Sequence, residues 1–153
     1  MIYADTSFLF SLYALDENSA AAARTYAGDA RRPLWLTPWQ HFELRNALRL
    51  AAHRLKRAAK PVPFQTGNVF KVIQEDLDAG RLKHAEVDWR DSLHLAEELS
   101  ASHTEQTGAA SVDVWHVAAA ILLEPDTFWT FDDEQRHLAA HCARFKRVPK
   151  IGS

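Results

Sequence analysis

M-I-Y-A-D-T-S-F-L, residues Met1 to Leu9, is the stretch on which the reading of this chain turns. Ile2, Tyr3 and Ala4 form a short apolar run of the kind that becomes a fully buried strand, and the run ends directly on Asp5. The hydroxyls of Thr6 and Ser7 follow. A strand that stops on an acid delivers its carboxylate to the carboxyl edge of whatever sheet it joins, and in open α/β sheets ligands bind at that edge. The same residue is also a preferred helix N-cap, so Asp5 reads equally as a cap for the helix expected over Ser7 to Leu15.

The remaining sequence alternates in the same sense. Asp16, Glu17, Asn18 and Ser19 precede an alanine-rich helix, Ala20 to Ala27, with Gly28 as its stop. After Pro33, Leu34 to Leu36 make a second buried strand. Thr37-Pro38-Trp39-Gln40 then has the form of a capping box with proline at the first helical position. At about 100° per residue the helix running to Arg57 places Leu44, Leu48, Ala51, Leu55 and Ala58 on one face. Arg45, Arg49, His53, Lys56 and Lys60 fall opposite. Glu43 belongs to neither face, and with Trp39 and Ala47 four residues away it has no ion-pair partner along the helix.

Pro61 and Pro63 end that helix, and Val69, Phe70, Val72, Ile73 and Leu77 begin another that stops at Gly80, giving a helical hairpin expected to project from the sheet. Leu82 to Val87 is a weak strand. Asp91 is expected to cap a helix carrying Leu95, Ala96 and Leu99, with a polar loop from His103 to Ala110. Ser111 to Glu124 is apolar almost all round, as in a helix buried on several sides, yet it holds Asp113 and, a turn later, His116. Asp113 suits the start of a helix, and His116 suits a hydrogen-bonded core histidine better than a ligand for a hard cation. After Pro125, Thr127 to Phe131 repeat the opening pattern, an apolar strand ending on Asp132 and Asp133. Glu134 to Ala143 form a final helix and Phe145 to Val148 an edge strand. Strands separated by helices throughout imply parallel pairing in a three-layer α/β/α sandwich.

Composition narrows the class. At 153 residues, with 47% hydrophobic and 25% charged residues, the chain suits one domain, 1–153, with a sizeable core. The only cysteine, Cys142, excludes an internal disulfide and a cysteine-based zinc site. Neither a signal peptide nor an apolar run long enough for a bilayer is evident, so the expected compartment is the cytoplasm. With a net charge of −2, a polyanion must meet a local basic patch or a metal.

Asp5, Glu43, Asp113 and Asp132 each stand at a strand end or near a helix start, positions that a parallel sheet brings to one edge. Carboxylates gathered in this way repel one another and take up protons unless a cation neutralises them. Mg²⁺ or Mn²⁺ prefers such oxygen ligands and keeps waters and substrate phosphates in its shell. The chemistry suggested is phosphodiester hydrolysis. Gly-rich phosphate loops, a G-x-S-x-G elbow and the H-E-x-x-H zinc motif are all missing.

M-I-Y-A-D-T-S-F-L, the acid of H-F-E-L-R-N-A-L, S-V-D-V-W-H-V-A-A-A and W-T-F-D-D, in that order and spacing, resemble the PIN-domain ribonucleases, specifically VapC-type toxins of toxin–antitoxin pairs. The resemblance implies a PIN-like sandwich and a Mg²⁺-dependent endoribonuclease, with Asp5, Glu43, Asp113 and Asp132 matching the family's acidic metal-site quartet. Ser7 and Thr130 match hydroxyl positions beside the first and last acids, and Asn46 a polar position one turn after Glu43. Asp133 either assists Asp132 or starts the last helix. Trp115 departs from the smaller residue usual at its position. The resemblance further implies a cognate antitoxin, a homodimer, and an RNA groove to which Arg45, Arg49, Arg54, Lys56 and Arg57 contribute, although such a stripe otherwise serves to solvate a helix. From other classes, a non-catalytic PIN-fold module binding RNA or protein competes with this reading, as does a phosphatase or DNA-directed nuclease. An aspartyl-phosphate phosphatase would want an acid two residues after Asp5, where Ser7 stands.

Overall fold

A computed structural model describes residues 1–29, 32–142 and 144–152. Four short strands form one parallel sheet in the order β3-β2-β1-β4. They are β1 (Ile2–Ala4), β2 (Leu34–Leu36), β3 (Leu82–His84) and β4 (Thr127–Trp129). Between them run α1 (Thr6–Tyr13), α2 (Ser19–Gly28), α3 (Pro38–Arg57), α4 (Thr66–Asp78), α5 (Trp89–Thr107), α6 (Ser111–Leu123) and, last, α7 (Asp133–His141).

The strand pleat sorts side chains to two faces. Ile2, Ala4, Leu34, Leu36 and Trp129 enter one core, where Phe8 and Leu9 of α1, Leu44 and Leu48 of α3 and Ile73 of α4 meet them. Tyr3 and Phe128 face the other way, into a core with Val114, Val117 and Ala120 of α6 and Leu138 of α7. The result is the expected three-layer sandwich, and its carboxyl edge carries the starts of α1, α3 and α7.

Local chemistry sets the element boundaries. Thr37 and Gln40 close the capping box at α3, with Gln40 Oε1 accepting from Thr37 N at 2.8 Å and Thr37 Oγ1 from Gln40 N at 3.2 Å. The buried face of α3 is Gln40, Leu44, Leu48 and Ala52, whereas Ala58 is exposed. The expected face therefore drifts at its far end, because Ala58 lies past the sheet, where nothing is left to pack against. In the hairpin of α3 and α4, Val69 and Ile73 enter the core, so the part left in solvent is the turn around residues 58–61.

Several boundaries differ from the expectation. Asp88, not Asp91, caps α5, its Oδ1 accepting from Asp91 N at 3.0 Å. The expected loop from His103 is helical as far as Thr107. There Ser102 and Thr107 hydroxyls bond to carbonyls one turn back, which keeps polar residues in the helix, and Gly108 ends it at φ 72°. Phe145 to Val148 forms no strand but one parallel bridge, Thr127 to Arg147. Pro149 has no N–H with which to extend the ladder. β3 is shorter than expected, leaving the sheet after Ala85 N donates to Leu36 O at 3.1 Å. The expected end of the last helix, Ala143, lies outside the described residues.

Candidate active site

Asp5 follows β1 and is 3% exposed. Both readings of its position hold together, since it caps α1 through Oδ1, which accepts from Phe8 N at 2.9 Å. Ser7 Oγ reaches Oδ1 and Oδ2 at 2.8 and 2.9 Å, and Thr130 Oγ1 donates to Oδ2 at 2.8 Å. Burial pushes its carboxyl above the ordinary range, against the pull of these donors and of nearby His116.

Glu43, half-buried in the second turn of α3, shares one oxygen between two partners, one from α1 beside it and one from α6 across the sheet. Its Oε2 accepts from Thr6 Oγ1 and lies 2.8 Å from His116 Nε2. Burial raises the carboxyl, but the hydrogen bond and charge of His116, with the Thr6 hydroxyl, outweigh that and hold it below the usual value. His116 is itself 2% exposed, and its Nδ1 is 2.8 Å from the hydroxyl of Tyr3, a fully buried residue of β1. The core-histidine reading of His116 therefore fits, and it also orients an acid.

Asp113 sits in the first turn of α6, with Oδ2 accepting from Ala110 N at 3.3 Å and Oδ1 facing Gln135 Nε2 at 3.4 Å. Burial raises its carboxyl and the charges of Asp132 and Glu43 add to the rise, against Ala110 N–H and His116. Asp132 caps α7, accepting from Gln135 N at 2.8 Å, while its own N–H donates to Thr130 Oγ1 at 2.9 Å. The four acids thus converge on one edge. Thr130 joins Asp5 to Asp132, Gln135 joins Asp132 to Asp113, and His116 bonds Glu43 and acts electrostatically on Asp5 and Asp113.

The supporting positions separate. Ser7 and Thr130 serve Asp5 directly, and Ser7 Oγ also accepts from Phe131 N at 3.0 Å. Asp133 turns outward to Arg136 at 2.7 Å, which lowers its pKa and leaves it a helix-starting, ion-paired residue. Asn46 is exposed and makes no side-chain hydrogen bond among the described residues. The sequence places Tyr3 in a strand and Thr6 in a hydroxyl pair without assigning either a site role, and it does not single out Gln135. Gln135 is fully buried, and its Oε1 has no partner among the described residues. The one signal for it was a polar residue three after the cap of α7, a capping-box position.

The basic stripe divides. Arg45 and Arg49 stack on the Phe70 ring of α4, 4.5 and 5.0 Å from its centroid. Lys56 is exposed. Arg54 lines a groove of about 350 Å³ that begins at Thr6 and Ser7, and Arg57 lines its continuation.

Among the described residues, no three His, Cys, Asp or Glu side chains are gathered so as to hold one metal ion directly. The donor chemistry nonetheless suits a hard cation, being all carboxylate with an orphaned amide oxygen beside it. No helix among the described residues is long and apolar enough to cross a membrane.

No protein-family model matches the chain, and no curated protein matches it. Solved structures do. VapC20 of Mycobacterium tuberculosis, a sarcin-ricin loop cleaving toxin, aligns over 97% of this chain and all of its own, with a TM-score of 0.65 at 17% identity. FitAcB from Neisseria gonorrhoeae aligns over 92% of this chain and 94% of its own, with a TM-score of 0.57 at 18% identity. At these identities the likeness is one of fold, and the fold is PIN-like.

Proposed function

We propose that this chain is a single-domain, metal-dependent endoribonuclease of the VapC type, held in check by a cognate antitoxin and acting in the cytoplasm as a homodimer. The observation that carries the reading is the convergence of Asp5, Glu43, Asp113 and Asp132 on the carboxyl edge, with Asp5 and Asp113 pushed toward protonation. Carboxylates gathered at one edge repel one another unless a cation neutralises them. The likeness in fold to a sarcin-ricin loop cleaving toxin supports the same reading.

Mg²⁺ or Mn²⁺ held by the four acids would supply charge neutralisation, a more acidic bound water and stabilisation of the leaving oxygen. The chain's own contribution is orientation. Ser7 and Thr130 fix the Asp5 carboxylate, while His116 and Thr6 fix one oxygen of Glu43 and leave the other free. In the overall reaction water attacks phosphorus in line, the phosphorus–oxygen ester bond breaks, and the departing oxygen takes up a proton.

The test is incubation of the purified, partner-free protein with total RNA, in Mg²⁺ or in EDTA, beside Asp5→Asn. Discrete fragments requiring both the metal and Asp5 are expected, together with a rise in thermal midpoint on adding Mg²⁺ that Asp5→Asn diminishes. RNA binding without cleavage under any metal would return the chain to the non-catalytic module.

A further inference from the structure

Resting on the nuclease reading, we infer that the substrate strand leaves the acids along one flank of α3, in the groove between α1 and α3, and that Arg54 and Arg57 receive its phosphates. The helical phase of α3 already separates the five cations. At about 100° per residue, Arg54 and Arg57 fall within roughly 40° of Glu43, whereas Arg45, Arg49 and Lys56 fall on the opposite side of the axis.

The contacts agree with that division. Arg45 and Arg49 spend their guanidinium faces on Phe70, packing α3 against α4 on the side away from Glu43. The groove on the Glu43 side begins at Thr6, which bonds Glu43, and Ser7, which bonds Asp5. It then passes Leu50 and Arg54, and both also line the adjoining groove that reaches His53 and Arg57. One continuous path therefore joins the acidic edge to two cations. Neither guanidinium makes an ion pair or side-chain hydrogen bond among the described residues.

The one carboxylate lining the path, Asp16, is engaged by Ser11 at 2.7 Å and by Ser19 and Asn18 N at 2.9 Å. Its charge is thus partly met within the protein. The walls between the hydroxyls and the arginines are mostly apolar, with Leu50 40% exposed. Such a wall accepts ribose and base faces, while arginine forks accept phosphate oxygens. In a chain of net charge −2, this local pair of cations supplies the attraction that the whole molecule lacks.

The test measures binding of a short labelled single-stranded RNA by fluorescence anisotropy across a salt series, for the parent, Arg54→Gln/Arg57→Gln and Arg45→Gln/Arg49→Gln. Cleavage of total RNA in Mg²⁺ is scored in parallel. The Arg54/Arg57 pair should weaken binding and flatten the log–log salt slope by about 1.4, at about 0.7 per phosphate contact on a single strand. The Arg45/Arg49 pair should leave the slope unchanged. Equal effects from both pairs, or none from Arg54/Arg57 while the parent cuts RNA, would overturn the track and leave the nuclease standing. Binding that depends on Arg54 and Arg57 without cleavage would sink the nuclease and keep the track. Equal competition by polyglutamate would make the groove a site for acidic peptide and overturn the assignment to RNA.

Discussion

Replacing Tyr3 by phenylalanine removes one oxygen atom from the centre of the protein, and the structure specifies what that atom does. A carboxylate only accepts hydrogen bonds, so the proton between His116 and Glu43 must reside on Nε2. The other ring nitrogen, Nδ1, lies 2.8 Å from the Tyr3 hydroxyl, which burial and the charges of Asp5 and Glu43 keep protonated. Phenylalanine preserves the stacking on Phe128, 5.4 Å between centroids, and opens little cavity. The cost is therefore that of stranding a buried polar ring nitrogen on a histidine 2% exposed, about 1–3 kcal/mol. At about 2–4 °C per kcal/mol for a domain of this size, the thermal midpoint should fall measurably. Denaturant titration at constant m gives the free energy directly. A cycle with Glu43→Gln tests the chain of bonds itself. Although Tyr3 and Glu43 do not touch, they share His116, so the pair should be non-additive by more than about 0.5 kcal/mol. Additivity within that margin, or no loss on Tyr3→Phe, would refute the argument that β1 holds Glu43 in place through α6.

Other substitutions separate the roles of the same residues. Asp5→Asn should abolish cleavage yet fold normally, because asparagine caps a helix as well as aspartate. Asp5→Ala should cost a further 0.5–2 kcal/mol or so by urea titration. Leu48→Ala, fully buried between α3 and the sheet, should lose about 2–5 kcal/mol. In EDTA, carboxyls raised by burial weaken the fold when ionised. Asp5 and Asp113 should therefore raise the thermal midpoint as pH falls from neutrality through their folded pKa values, with Glu43, shifted down, opposing them. Asp113→Asn should flatten that rise, and a profile identical to the parent's would count against a raised Asp113 carboxyl.

The sequence was legible where short-range chemistry decides the outcome. Capping at Thr37 and Gln40 and the apolar run before Asp5 needed only neighbours within four residues. The ends of α5 and of the last strand depended on other things. Polar residues 103–107 look like loop until Ser102 and Thr107 turn their hydroxyls back onto the helix. Phe145 to Val148 has the residues of a strand but meets only β4, at one bridge. Tyr3 and Gln135 were hidden for another reason. One reads as ordinary core and the other as a helix residue, and only the packing of α6 against β1 and α7 shows what each holds.

That packing also removes an apparent choice. For Asp5 and Asp113 the sequence offered a structural role at a helix start or a functional one at the sheet edge, as though one excluded the other. In the fold both roles fall to the same carboxylates, for a physical reason. A parallel sheet delivers helix N-termini to its carboxyl edge, and unsatisfied N–H groups with the helix dipole stabilise negative charge there. The caps occupy Oδ1 of Asp5, Oδ2 of Asp113 and Oδ1 of Asp132. The Asp132 oxygen left over takes no hydrogen bond among the described residues, and that of Asp113 only the long contact from Gln135. Asp5 instead has its second oxygen fixed by Ser7 and Thr130. The helix starts thus lower the cost of keeping several like charges together, and so assemble an anionic edge that no single motif in the chain encodes.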